Sequence, residues 1–211
     1  MVLKAVPIVL CSIVFCATIG AQSKVSPLSE KPPADLAPAI AALVQPNGAK
    51  VVVGDATLDI WWVQSIGGDG PGWSGVESGT LVGAVRVAGP FKEIRGKVVA
   101  PGVYTLRYGQ QPQNGDHLGI SPYRDFLLLS PAAVDKDSKV LGFDGVVALS
   151  KQVIGTSHPA SLSIDPPEDA PGAVLSAYNN DSGHDGVVFE VARKPSGTIK
   201  FGLIVSGLIV H

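Results

Sequence analysis

Beyond residue 16 the chain has no cysteine, because its only two are Cys11 and Cys16. Both fall in an N-terminal apolar stretch that reads as a removable leader. The remainder would then have no disulfide, no thiolate nucleophile and no cysteine metal ligand. Charge is also scarce. Asp, Glu, Lys and Arg make up 16% of residues, and the net charge is −2. The basic residues are scattered rather than clustered, so the electrostatic footprint of a nucleic-acid binder is missing. The apolar run from Ala5 to Ala17, broken only by Ser12, falls short of the roughly 20 residues needed to cross a hydrocarbon layer.

What that run does match is a secretory signal peptide. Lys4 supplies a positive start, and the small residues Thr18, Gly20 and Ala21 follow the apolar stretch, before the polar Gln22 and Ser23. A charged n-region, a short apolar h-region and a small-residue exit are the parts of such a peptide. We expect residues 1–21 to be cleaved after Ala21 or Gly20. That places the rest in the periplasm or outside the cell, with no transmembrane segment after cleavage. Lipid attachment is disfavoured, because Val9-Leu10 precedes Cys11 and Val14-Phe15 precedes Cys16, where a small residue is wanted. A chain of about 190 residues without disulfides can still be held by its core, since a domain of that size buries roughly 70% of its unfolded surface.

Glycine (25) and proline (17) are abundant, a composition suited to short strands joined by tight turns. Residues 22–45 are rich in Pro, Ser, Lys and Glu and read as an unstructured leader with one helical turn in Ala37 to Val44. A single domain is expected over 46–211. There the period-2 pattern dominates. Leu58, Ile60 and Trp62 share one face opposite Asp59, Trp61 and Val63, and Tyr104, Leu106 and Tyr108 alternate with Val103, Thr105 and Arg107. Thr80 to Val87 behaves likewise. Such alternation predicts half-buried antiparallel strands. Phe126 to Leu129 is apolar on both faces and predicts a central strand. Ala160 to Ile164, Val187 to Val191 and Ile199 to Val205, extendable through Ile209, complete the set. Val146, Leu149 and Val153 recur at helical spacing, with Asp144 as N-cap and Gly155 past the C-terminus. The fold expectation is all-β: an antiparallel β-sandwich, jelly-roll or immunoglobulin-like, with one short connecting helix.

Motifs of chemistry fail on their surroundings. Gly70-Pro71-Gly72-Trp73-Ser74-Gly75 matches the dinucleotide fingerprint by letter, but a strand follows where a helix must open. Gly67 to Gly75 reads instead as a flexible hairpin loop. Val76 occupies the second glycine position of a serine-hydrolase elbow. Asp181 to Gly186 begins like a calcium loop, yet its third position is Gly183 and its twelfth is Ala192, so a polar turn accounts for it. Asn180-Asp181-Ser182 is a formal glycosylation sequon.

Two sets of residues remain as site candidates. Trp61 and Trp62 must point to opposite faces of a strand, so Trp61 with loop residue Trp73, and Tyr123, would form an aromatic surface for a sugar or apolar ligand. His117 with Asp116 beside it, Asp125 a short loop away, and His158 would supply a zinc, copper or iron site. His184 and His211 are further imidazoles without a paired spacing. Arg107 is expected to pair with Asp125.

The stretch Gly96-Lys97-Val98-Val99-Ala100-Pro101-Gly102-Val103-Tyr104-Thr105-Leu106-Arg107-Tyr108-Gly109, with Asp116-His117-Leu118-Gly119 and Asp125 to Leu129, resembles exported bacterial β-sandwich proteins of unknown function from acidobacteria and planctomycetes. The resemblance implies export, an envelope setting and the same fold, and carries over no functional residue. The resulting expectation is a non-enzymatic exported envelope protein that binds a protein or carbohydrate partner through loops of a β-sandwich. The alternative is a metal-binding protein or metal-dependent enzyme using His117, His158 and a nearby Asp.

Overall fold

The structure, a computed structural model, describes residues 23–112 and 123–207. The elements in chain order are β1 (Lys24–Leu28), α1 (Pro38–Ala41), β2 (Gly48–Val53), β3 (Ala56–Trp62), β4 (Leu81–Ala88), β5 (Phe91–Lys92), β6 (Val98–Val99), β7 (Gly102–Gln110), β8 (Asp125–Pro131), α2 (Gly142–Ile154), β9 (Ser161–Asp165), β10 (Ala177–Asn179), β11 (Asp185–Ala192) and β12 (Thr198–Ser206). Ten of the strands form one antiparallel sheet in the order β1-β2-β3-β4-β7-β8-β9-β12-β11-β10, and β5 and β6 pair separately. The all-β expectation holds. The hydrogen bonding, however, runs through one continuous sheet rather than two packed ones.

That sheet curls until it nearly closes. Trp62 of β3 meets Phe189 of β11 and Phe201 of β12 at ring-centroid distances of 5.0 and 5.3 Å, although these strands are far apart in the sheet order. A parallel bridge between Ile66 and Arg193 joins the chain leaving β3 to the chain leaving β11. It is made by the Ile66 amide to the Ala192 carbonyl and the Lys194 amide to the Ile66 carbonyl, both 2.9 Å. At the other end of the barrel the Ser23 hydroxyl donates to Asp185 at 3.3 Å. Short β10 makes this closure possible, because it covers β11 only from Asp185 to Val187 and leaves the rest of that edge open.

The alternating patterns have the registers they predict. Leu58, Ile60 and Trp62, with Leu106, Leu127, Phe189, Phe201 and Leu203, fill the interior. Leu127, Leu128 and Leu129 are all fully buried, as a central strand requires. Helix α2 packs across β8 with Val146 and Ser150 buried, and the Ser150 hydroxyl donates to the Ala160 carbonyl at 2.8 Å. Gly155 ends the helix at φ 62, a conformation that costs glycine little. Asp144 lies in the first turn, and Leu141 takes the N-cap position without a side-chain cap.

Two expectations are overturned. The leader expected over 22–45 is not unstructured in its described part, residues 23–45: Lys24–Leu28 is an edge strand paired with β2, and Leu28, Leu36, Ala37 and Ile40 are buried. The helical turn at Pro38–Ala41 does form. The proline content concealed a strand because Pro27 sits at the sheet edge, where its missing N–H breaks no ladder. Arg107 pairs not with Asp125 but with Asp135, Nε to Oδ2 at 2.7 Å and Nη2 to Oδ1 at 2.9 Å. Its remaining donors reach the carbonyls of Gly79 (2.7 Å), Lys139 (2.9 Å) and Asp137. Thr105 donates to Asp135 Oδ2 at 2.5 Å. All five guanidinium N–H groups are thus used inside the protein.

Candidate functional site

The end of the barrel where β3, β7 and β11 finish and β4, β8 and β12 begin is its mouth, as the facing pairs Trp62–Gly83, Gln110–Asp125 and Ala192–Thr198 place it. Aromatic rings from four strands and one loop converge there. The four strand rings, Trp62, Tyr108, Phe189 and Phe201, are on inward positions because the period-2 pattern puts them there. Trp73, on the loop 67–75, lies over Tyr108 of β7 with centroids 5.0 Å apart and planes at 6°. Its edge contact is with Phe201, at 5.1 Å and 67°. Trp62 meets the same Phe201 edge-on at 83°. Such stacked and edge-on pairs add about 0.5–1.5 kcal/mol each beyond their buried area.

The loop that delivers Trp73 is ordered by Arg193. Its guanidinium donates to the carbonyls of Gly68 (2.6 Å), Gly70, Gly72 (3.1 Å) and Ser74 (2.6 Å). Carbonyls can point inward in this way only if the backbone turns through conformations that side chains resist. Gly75, at φ 76, would place a Cβ 2.1 Å from the Asp69 carbonyl oxygen. The expected flexible hairpin is therefore a clamped loop. Even so, among the described residues no backbone hydrogen bond ties 67–75 to the sheet; those it makes are local, as from Ser74 to Pro71.

Among the described residues four buried side-chain atoms lack a hydrogen-bond partner: Trp62 Nε1, Trp73 Nε1, Ser130 Oγ and Asp59 Oδ1. Lys50 Nζ stands 2.7 Å from Asp59 Oδ1, off the hydrogen-bond direction, so charge compensates that oxygen. The two indoles have nothing comparable. A buried donor left unpaired costs about 1–3 kcal/mol, and both lie at the mouth, each against Phe201. Trp61 is the contrast. It is fully buried on the outer face, its Nε1 donates to the Glu30 carbonyl at 2.9 Å, and the Arg86 guanidinium stands 5.6 Å from its ring centroid. Arg86 also pairs with Asp59 and Glu30. With Trp61 covered and Trp73 only 7% exposed, neither offers the open ring face expected of a stacking surface.

Around the barrel, tyrosines hold carboxylates. Tyr108 donates to Asp125 Oδ1 at 2.5 Å, Tyr123 donates to Asp169, and Tyr178 donates to Asp165 Oδ2 at 2.9 Å. Gln110 and Asn180 add donors to Asp125 (3.2 Å) and Asp165 (3.0 Å). Among the described residues none of these three carboxylates has a Lys or Arg partner. Tyr178 reaches Asp165 by lying across Gly202, where a Cβ would fall 1.9 Å from its hydroxyl. Each phenol resists ionisation. Burial, then the Asp125 hydrogen bond, raises Tyr108; burial, then the Asp165 charge, raises Tyr178. The Asp169 hydrogen bond is the main cause that pushes Tyr123 up to about 12. Burial alone raises Tyr104.

The expected metal ligands are not brought together where they are described. His158 is exposed on the turn after α2, its amide hydrogen-bonded to the Thr156 hydroxyl. The Leu129 amide bonds the Ala160 carbonyl at 3.0 Å, so His158 follows the end of β8 remote from Asp125. From Asp125 to Leu129 alone is about 13 Å of strand, whereas zinc ligands meet within about 2.0–2.2 Å of one point. Asp116, His117 and His211 lie outside the described residues. Among those described, no group of three or more His, Cys, Asp or Glu could hold a metal ion. The calcium-like turn is a polar turn, in which the Asn180 side-chain oxygen accepts from the Ser182 and His184 amides at 3.1 and 3.0 Å. The nitrogen of the same side chain is committed to Asp165.

Sequence reasoning missed Arg193, Tyr108, Phe189 and Phe201 as parts of the mouth. Each looked like an ordinary strand or turn residue, and only barrel closure brings them together. Among the described residues no helix is long and apolar enough to cross a membrane. Comparison of the chain with protein-family models, with curated proteins and with solved structures finds no match in any of the three.

Proposed function

We propose that this is an exported, non-enzymatic binding protein of the cell envelope, periplasmic or extracellular, whose contact region is the barrel mouth. The export reading draws on the N-terminal leader and on the resemblance to exported bacterial proteins. The sandwich expected from sequence and the curled sheet serve the reading alike, as rigid scaffolds that present one end. The observation that carries it is the pair of buried indole N–H groups, Trp62 and Trp73, at a mouth whose loop 67–75 has, among the described residues, no backbone hydrogen bond to the sheet and whose two indoles have no acceptor. Buried donors without acceptors mark a place where a partner group is called for, and this place is walled by rings. A ligand with an apolar ring body and an oxygen acceptor suits it.

The three tryptophan indole N–H resonances of 15N-labelled protein provide the test. Titration with small phenols and with oligosaccharides should move the Trp62 and Trp73 signals and leave Trp61, already bonded to Glu30, in place. Ligands that bind while moving only the Trp61 signal would put the contact elsewhere. A panel that moves no indole signal would remove the reading.

A further inference from the structure

We infer that the loop 67–75 is a displaceable plug and that Trp73 occupies the seat of a planar aromatic ligand bearing a hydrogen-bond acceptor. The inference rests on the binding reading above and adds the ligand class and the way its site is guarded. The Tyr108 face and the Phe201 edge hold Trp73 at 5.0 and 5.1 Å. That is a contact any flat bicyclic ring of indole size reproduces, because it depends on ring shape and quadrupole rather than on the chain attached. Trp62, 7% exposed, touches the same Phe201 and brings a buried donor that has no acceptor among the described residues. Trp73 cannot supply one, since an indole N–H only donates. A ligand in its place with a phenol, keto or ether oxygen can.

The plug is built to leave. Trp73 enters from a loop, not a strand, and one side chain, Arg193, fastens that loop through four carbonyls. Three of those four contacts, to Gly70, Gly72 and Ser74, are solvent-exposed, so water can replace them as the loop lifts. Lifting also exposes the Trp73 N–H to water, while the ligand satisfies Trp62. Both unpartnered donors therefore gain partners in the open, occupied state. That differential is what a ligand needs to shift the equilibrium.

The experiment uses 1-naphthol, measured by calorimetry against the mature chain, with acrylamide quenching of tryptophan emission as a ligand-free readout of the loop. Arg193→Gln should raise quenching and tighten 1-naphthol binding about tenfold, because apparent affinity follows the fraction of open molecules. Trp62→Phe in that background should weaken binding about fivefold as the donor is lost. Unchanged quenching in a folded Arg193→Gln protein, judged by near-ultraviolet circular dichroism, overturns the plug. Equal affinity of Arg193→Gln and wild type overturns it too, while leaving binding at the mouth intact. Failure of 1-naphthol to bind either protein removes the ligand class and counts against the binding reading itself. Should Arg193→Gln not fold, Trp73→Ser keeps the clamp and vacates the seat; no tighter binding by that variant overturns the assignment of Trp73 as a stand-in.

Discussion

Arg107 and Trp62 lie on neighbouring parts of one barrel, both almost wholly removed from water, and they solve the problem of a buried polar group in opposite ways. The guanidinium of Arg107 has every donor matched, by Asp135 and by the carbonyls of Gly79, Asp137 and Lys139. Among the described residues the indole N–H groups of Trp62 and Trp73 have none. The first arrangement serves the fold, because a buried charge is tolerated only when it is paired and hydrogen-bonded throughout. The second makes no hydrogen bond for the fold that a phenylalanine would lose, which is why the binding proposal rests on it.

The contrast can be broken most severely at Asp135. Asp135→Ala leaves a buried guanidinium without its counter-charge and should cost about 3–5 kcal/mol in denaturant unfolding; a loss below about 1 kcal/mol would mean water compensates Arg107. Tyr178→Phe sharpens the comparison at an intermediate case, a buried carboxylate held by phenol and amide without a cation. Losing a hydrogen bond to a charged group should cost about 1.5–3 kcal/mol. The adjacent pair on β3 gives a finer test. Trp61→Phe and Trp62→Phe remove similar volumes, but only the first breaks a hydrogen bond, the one to the Glu30 carbonyl. Trp61→Phe should therefore be the more destabilising by about 1 kcal/mol, and equality would show that the Trp62 donor is satisfied after all.

A last test is read in alkali. All four tyrosines are raised above their ordinary value, Tyr123 to about 12. Above pH 10 the unfolded chain releases phenolic protons that the folded chain keeps. Unfolding then releases protons, and stability falls as pH rises from about 10 through 12. Below pH 10 this contribution is constant. Absorbance at 295 nm should show no phenolate at pH 10 in the folded protein, and Asp169→Asn should bring the Tyr123 transition down toward the ordinary range. A phenol titrating near 10 in the wild type would contradict the Tyr123–Asp169 bond.

Much of the fold was legible because it rests on local periodicity. Leu58, Ile60 and Trp62 announce a strand and its inward face, and the apolar Phe126 to Leu129 announces a strand covered on both sides. Strand β1 was hidden because an edge strand buried mainly at Leu28 has no alternation to read, and Pro27 and its neighbours mimic a linker. Curling of the sheet is a sum over nine registers and leaves no mark on any one segment. The site suffered most from this. Trp61 and Trp73 were legible as aromatics but not as buried ones, since what lies against Trp61 is Glu30 and Arg86, and what fastens Trp73 is Arg193, some 120 positions downstream. Arg107 showed the same difficulty. Asp125 lies on the neighbouring strand, yet the true partner Asp135 sits beyond that strand, on the irregular stretch that returns over the sheet.

That irregular stretch has a practical consequence. Residues 132–141 contain no helix or strand, so they look like a natural place for proteases to cut, or for an insertion or new chain ends to be tolerated. Arg107 holds their carbonyls from beneath, and the Lys136 ammonium grips the Ala132 carbonyl at 2.8 Å. A cutting enzyme must draw a segment out into an extended strand, and here that means uncovering a buried charge. Nicking, tagging and circular permutation should therefore be borne poorly in this loop and better at 195–196, the exposed tip of the turn beyond the Lys194 amide that closes the barrel.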